Sequence, residues 1–396
     1  MTDAARGTHR RSDDDAGWRA PDPAPHPAPH NGHPNGAPHA VPADPGTGAG
    51  PVSGPVSGPV SGTVSGPVLR AAGDLAPMRP LDVADVAERI AANVAKAIEG
   101  KPDVITLGIA VMLAEGHLLL EDVPGVGKTT FAKALARSID ASVRRVQFTP
   151  DLLPSDITGV SVFNAEARDF EFRPGAIFAN IVVGDEINRA SPKTQAALLE
   201  CMEEGQVTVD GTTYLLESPF LVVATQNPLD MEGTYPLPEA QRDRFTARMS
   251  MGYPDRRAEM EMLLEHAAAD PLTSMSPVSD AAEVRAAIAA VRQVHVADAV
   301  RSYAVDIAEA TRRSHELRLG ASPRATLQLL RTAKAWAALD RRDHVLPDDL
   351  AALAASVLGH RLIATADAHV RGRSPADVVD AIVAELPVPT GSRTSA

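Results

Sequence analysis

Residues 118–131 read Leu118-Leu119-Leu120-Glu121-Asp122-Val123-Pro124-Gly125-Val126-Gly127-Lys128-Thr129-Thr130-Phe131. A short apolar run ends, a Gly-rich loop follows, and an amphipathic helical pattern runs on to Ala136. Strand, Gly-rich loop and helix in that order are the context in which Gly-Lys-Thr is a Walker A phosphate loop. Gly125 and Gly127 allow the backbone close to phosphate oxygens. The N–H groups of the loop and first helical turn point at the anion, and the helix dipole adds attraction. The ATP-binding segment is therefore expected to be Pro124, Gly125, Val126, Gly127, Lys128, Thr129 and Thr130. Lys128 would reach the β- and γ-phosphates, and the Thr129 hydroxyl would coordinate Mg²⁺. One position departs from the pattern: Asp122 stands where the full motif has glycine. A carboxylate facing the phosphates would repel them, so Asp122 is expected to point away.

Working outward, Ile181-Val182-Val183-Gly184-Asp185-Glu186 is an apolar strand ending in two acids, the form of a Walker B motif. Asp185 would hold the metal and Glu186 would orient and polarise the attacking water. Alone, such a strand end is weak evidence; in a βαβ pattern downstream of Lys128 it supports the phosphate-loop reading. Phe220–Thr225 is another buried strand, followed by Gln226-Asn227-Pro228. An amide at that strand tip can bond the attacking water or the γ-phosphate, although Asn227 could equally make the turn before proline.

Apolar strands alternate with helical patterns over residues 81–254, which predicts a parallel α/β sheet covered by helices. The helical stripe Val83, Val86, Ile90, Val94, Ile98 opens this domain. Two hairpins interrupt it. In one, Asp210-Gly211 joins Gln206–Val209 to Thr212–Leu216 and suits a type I′ turn; in the other, a polar turn joins Val160–Phe163 to Phe170–Phe172. Residues 255–386 are rich in Ala, Leu, Arg and Glu, are punctuated by Pro271, Pro277, Pro323 and Pro347, and predict an all-helical lid; 387–396 are a polar tail. Residues 1–80 are Pro-, Gly-, Ala- and His-rich, with tandem Pro-Val-Ser-Gly units from Pro51, and predict a disordered spacer that has little to bury.

Aromatics make up only 4% of the chain, so aliphatic side chains must fill the core. The first 79 residues hold seven Asp, six Arg and neither Lys nor Glu, so nearly all of the net charge of −13 lies in the folded body. An acidic body argues against a general nucleic-acid binder. Cys201 is the single cysteine, which excludes an intrachain disulfide. With no apolar stretch of secretory type and no run long enough to span a bilayer, a cytoplasmic protein without a membrane span is expected.

These motifs together resemble the AAA+ ATPases, and among them the MoxR family. The resemblance covers roughly residues 94–386. Its specific stretches are Glu121–Thr129, Gln147–Asp156, Phe172–Gly175, Asp185–Ala190, Ala224–Pro228 and Leu237–Phe245. It implies Mg²⁺-ATP hydrolysis in a homo-oligomeric ring, a hexamer. It also implies a chaperone-like role on a client protein complex, with a von Willebrand factor A domain partner. By position, Asn227 matches sensor 1, Arg244 the arginine finger (Arg242 the fallback) and Arg324 the sensor 2 arginine of the lid. The segment near Ile98-Glu99-Gly100 matches the adenine wall, and the hairpins match inserts that face the pore and partners. Two other functions compete. A nucleic-acid motor would show basic hairpin tips, whereas the turns carry Asn164, Glu166, Arg168, Asp169 and Asp210. A low-turnover switch would need neither the Asp185-Glu186 pair nor Arg244.

Overall fold

The computed structural model describes residues 78–389 apart from 124, 228–233, 254–255, 257–258 and 261–270. The spacer repeats, the tail histidines and Pro124 therefore lie outside the described residues.

Five strands form one parallel sheet. These are β1 (Leu118–Glu121), β2 (Val143–Gln147), β5 (Ile181–Asp185), β8 (Leu221–Gln226) and β9 (Ala247–Met249), in the order β2-β5-β8-β1-β9. The missing numbers belong to two antiparallel hairpins, β3 (Gly159–Asn164) with β4 (Asp169–Pro174) and β6 (Gln206–Val209) with β7 (Thr212–Leu215). The predicted turn at Asp210-Gly211 is present, with φ of 50° and 79°. Positive φ at both central residues is what a two-residue type I′ loop requires.

The middle strands are covered on both faces, which is why they read as continuous apolar runs. Leu118, Leu120, Ile181, Val183, Leu221 and Val223 face one way. There they pack on α1 (Val83–Val94), α2 (Pro102–Leu113) and α3 (Lys128–Ser138). Leu119, Val182, Val222 and Ala224 face the other way, against Ile157 of α4 (Pro154–Thr158), Leu198 and Leu199 of α5 (Pro192–Glu204), and Phe245. The stripe predicted through Ile98 is buried, but α1 stops at Val94 and Ile98 sits in the following turn. After α6 (Glu239–Arg242) and β9 come α7 (Pro271–Ser274), α8 (Ala281–Arg292), α9 (Asp298–Arg313) and α10 (Pro323–Leu339). The lid closes with α11 (Pro347–Leu358), α12 (Ala366–Val370) and α13 (Pro375–Glu385). Pro323 and Pro347 each open a helix, where their missing N–H costs nothing. A two-stranded ladder, β10 (Leu317–Leu319) with β11 (Ile363–Ala364), ties the lid helices. The lid's apolar residues, including Ala304, Leu329, Leu350 and Val357, join the same cluster as α1, α2 and one face of the sheet. Among the described residues no helix is long and apolar enough to cross a membrane.

Candidate functional site

β1, β5 and β8 run parallel and end side by side, with Glu121 opposite Gln226 and Gly184 opposite Ala224. The Gly-rich loop, the acid pair and Asn227 therefore share one edge of the sheet. Ligands of open parallel sheets bind outside these carboxyl ends. Gly125 and Gly127 both have positive φ, 86° and 91°, and Gly127 caps α3. Ile98 Cδ1 and Met251 Cε lie 3.5 and 3.6 Å from where a side chain at Gly127 would begin. They form an apolar wall beside the loop where the adenine side is expected. Val126 packs against the core, and Lys128, Thr129 and Thr130 form the first turn of α3.

Lys128 Nζ donates to the Asp122 carbonyl at 2.7 Å. Burial lowers its pKa, while the carboxylates of Asp122, Asp185 and Glu186 oppose that shift. The three carboxylates thus offset part of the cost of burying the ammonium group, although burial is the larger effect. The Asp122 carboxylate turns away from the loop, as expected. It accepts from Val123 N at 2.8 Å, Ser250 Oγ at 2.8 Å and Gly252 N at 2.6 Å. Burial pushes its pKa up, but these bonds and one from the Met251 backbone outweigh it and hold the carboxyl below its usual range.

The Thr129 hydroxyl lies 3.3 Å from both Asp185 oxygens. Two hard oxygen donors beside a phosphate loop fit Mg²⁺, which keeps most of its shell as water and substrate phosphate. Among the described residues no group of three or more His, Cys, Asp or Glu could form a closed metal cage, and such a site needs none. Asp185 also accepts from Arg145 Nε at 2.6 Å and from Thr225 Oγ1 at 3.3 Å. Glu186 adopts a left-handed backbone, φ 58°, which is costly for a residue with a side chain and typical of functional turns. Its N–H donates to Thr225 Oγ1 at 3.0 Å. Its carboxylate accepts from Gln147 Nε2 at 2.9 Å and pairs with Arg189 at 3.2 Å. Arg145, Gln147 and Thr225 were given no role from sequence. A period-two reading would have put Arg145 and Gln147 on one face of β2, beside the acid strand. Asn227 follows β8 directly and is 7% exposed, between the loop strand and the acid strand.

The two remaining arginines lie elsewhere. Arg244 precedes β9, at the sheet's opposite edge, where Thr246 N donates to His117 O at 2.8 Å. Arg244 meets Glu203 at 3.4 Å, and Arg324, in the first turn of α10, pairs with the other oxygen of Glu203. Glu203 lies in the last turn of α5 next to Met202, whose carbonyl bonds His117 Nε2 at 2.9 Å. The structure thus brings Arg244 and Arg324 together on one carboxylate, at the strand starts, and brings neither to its own phosphate loop.

Residues 117–247 match the model of the ATPase family associated with various cellular activities (AAA), and residues 309–382 match the AAA lid domain. The chain is 48% identical over 297 residues to the uncharacterized protein YeaC of Bacillus subtilis, spanning 75% of this chain and 93% of YeaC. It is 38% identical over 312 residues to Chaperone MoxR1 of Mycobacterium tuberculosis, spanning 76% of this chain and 82% of that protein. A crystal structure described as an ATPase from Cytophaga hutchinsonii superposes with a TM-score of 0.73 at 35% identity, covering 78% of this chain and 97% of that one.

Proposed function

This chain belongs to the MoxR family of AAA+ ATPases, and on that premise we propose that it hydrolyses Mg²⁺-ATP within a homo-oligomeric ring to remodel or mature a client protein complex. The observation that carries the reading is the convergence of Lys128, Thr129, Asp185 and Glu186 at the carboxyl edge of the sheet. In this reading the backbone from Gly125 to Thr130 cradles the phosphates and Lys128 neutralises the β- and γ-oxygens. Mg²⁺, held by Thr129 and Asp185, would draw charge off the phosphoryl oxygens. Glu186 orients the attacking water and takes its proton, Gln147 and Thr225 hold the glutamate in place, and Asn227 bonds the water or the γ-phosphate. The core is assigned to residues 81–254 and the lid to 255–386.

The separation of Arg244 and Arg324 from their own loop supports a role at a neighbour's nucleotide. A head-to-tail interface that closes by rotation would bring them there. Cations at that point stabilise charge developing on the γ-phosphoryl group. Arg242, the fallback, has its Nε buried inside the fold, which supports Arg244 as the residue that reaches out. Phe163 and Phe170 form an edge-to-face pair on the β3–β4 hairpin, 55% and 67% exposed. An exposed aromatic pair supports contact with apolar protein segments in preference to nucleic acid.

The experiment is Glu186→Gln. It should bind ATP with wild-type affinity, lose turnover by roughly 10²-fold or more, and retain the client on affinity capture. Wild-type turnover would move the base elsewhere. Capture of nucleic acid in place of a protein complex would replace the client reading.

A further inference from the structure

The segment carrying Arg244 is gripped from the lid by a buried cation. Arg361 lies in the 3-10 turn Gly359–Arg361 after α11 and is 3% exposed. Its guanidinium donates to the Phe245 carbonyl at 2.5 Å, to the Thr246 carbonyl at 3.3 Å and to Gln328 Oε1 of α10. It also stands 3.5 Å from the Asp243 carboxylate. Next to it, His360 Nε2 bonds the same Phe245 carbonyl at 2.9 Å. Ser322, the N-cap of α10, donates its hydroxyl to Asp243 at 2.9 Å, two residues before Arg324.

Three of the acceptors around Arg361 thus come from the four residues Asp243–Thr246. A charge buried this deeply is tolerated only where several acceptors surround it. Losing it would take the donor from the Thr246 carbonyl and from Gln328 Oε1, would leave the Phe245 carbonyl to His360 alone, and would remove the cation beside Asp243. On the core side the same segment is fixed by Phe245, fully buried in the second face of the sheet, and by Thr246 against His117. Between these anchors Arg244 alone projects outward, to Glu203, where Arg324 joins it. The lid therefore bonds both to the backbone that carries one arginine and to the helix start that carries the other.

We propose that Arg361 is a positioning residue for the arginine finger: it fixes residues 243–246 to the lid so that Arg244 and Arg324 are presented as a pair to the neighbouring subunit's γ-phosphate. This rests on the in-trans reading of Arg244 given above. A purely structural latch would disturb folding or a subunit's own pocket. A positioning residue disturbs only what the subunit offers its neighbour.

The test mixes full-length chains. Lys128→Ala with Arg244→Ala is the control: one lacks the pocket, the other the finger, and activity should return where an intact pocket meets an intact finger. If mixed rings form and nothing returns, the in-trans reading falls and this inference falls with it. With a positive control, Arg361→Met should bind ATP with wild-type affinity yet turn over on the order of 10²-fold more slowly, the scale of a misplaced catalytic group. Mixed with Lys128→Ala it should regain activity, and mixed with Arg244→Ala it should not. Arg361→Lys keeps the charge but cannot span the same acceptors; it should show a smaller loss with the same mixing pattern, and it carries the test if the Met variant does not fold. Wild-type turnover, loss of ATP affinity in step with turnover, or no recovery with Lys128→Ala while the control recovers, would each overturn the proposal.

Discussion

At position 122 a carboxylate occupies the place that the phosphate-loop pattern gives to glycine, and its oxygens reach across to Ser250, Met251 and Gly252 beyond β9. Asp122 therefore acts as a strut. It pins the start of the loop to the strand end that also supplies Met251 beside Gly127. Replacing it with alanine should free the loop without touching the nucleotide. The group is half-buried at the surface and its ionic contribution is screened, so the cost should be roughly 1 kcal/mol, a several-fold loss of ATP affinity, with Asp122→Asn in between. Calorimetry with Mg²⁺ checks this; wild-type affinity in Asp122→Ala would remove the strut. That the carboxylate must turn away followed from charge alone, but its partners lie about 130 residues downstream and no local pattern announces them. The same holds for Glu203, whose two arginines come from different elements. Lys128, Thr129, Asp185 and Glu186 were legible because their chemistry is fixed by short spacing next to strands.

Among elements, the start of β1 is held by a histidine that joins three of them. His117 Nδ1 accepts from Val222 N at 3.1 Å in β8, and Nε2–H donates to Met202 O in α5. Both ring nitrogens are used by the neutral form, and burial lowers the pKa from 6.5 to about 4. Above pH 6.5 the ring is neutral whether the chain is folded or not, and its contribution is complete. As pH falls from 6.5 toward 4, the unfolded chain takes up a proton that the folded one refuses, so stability drains away by roughly 3 kcal/mol and then levels off. His360 is pushed well below 6.5 by burial and by Arg361, so it acts in the same direction. The melting temperature should fall across this window, and His117→Gln should flatten the fall. An equal slope in both proteins would show that His117 is not its source. Strands and hairpins were readable because period two and Asp-Gly are local signals. The end of α1 was not, because Ile98 stays apolar beyond Val94 in order to face Gly127.

For the whole molecule, the change of composition near residue 255 reads as a boundary between an α/β core and a helical lid. The element types follow from that reading, but the packing between them does not. Val83, Ile90 and Ile109 belong to one apolar cluster with Ala304, Leu329, Leu350 and Val357, because periodicity shows which face of a helix is apolar and not what it will meet. Residues 78–389 should therefore melt in a single transition, with calorimetric and van't Hoff enthalpies in agreement. Two resolved transitions would show that the lid holds itself together alone. A shared interior also limits how such a machine can move. Swinging the lid open on a hinge would wet a continuous apolar seam, whereas sliding packed helices past one another by an ångström or two keeps it dry. Movement between core and lid is accordingly expected to be short. In the proposed ring, any large displacement of a client would then be accumulated from many small strokes.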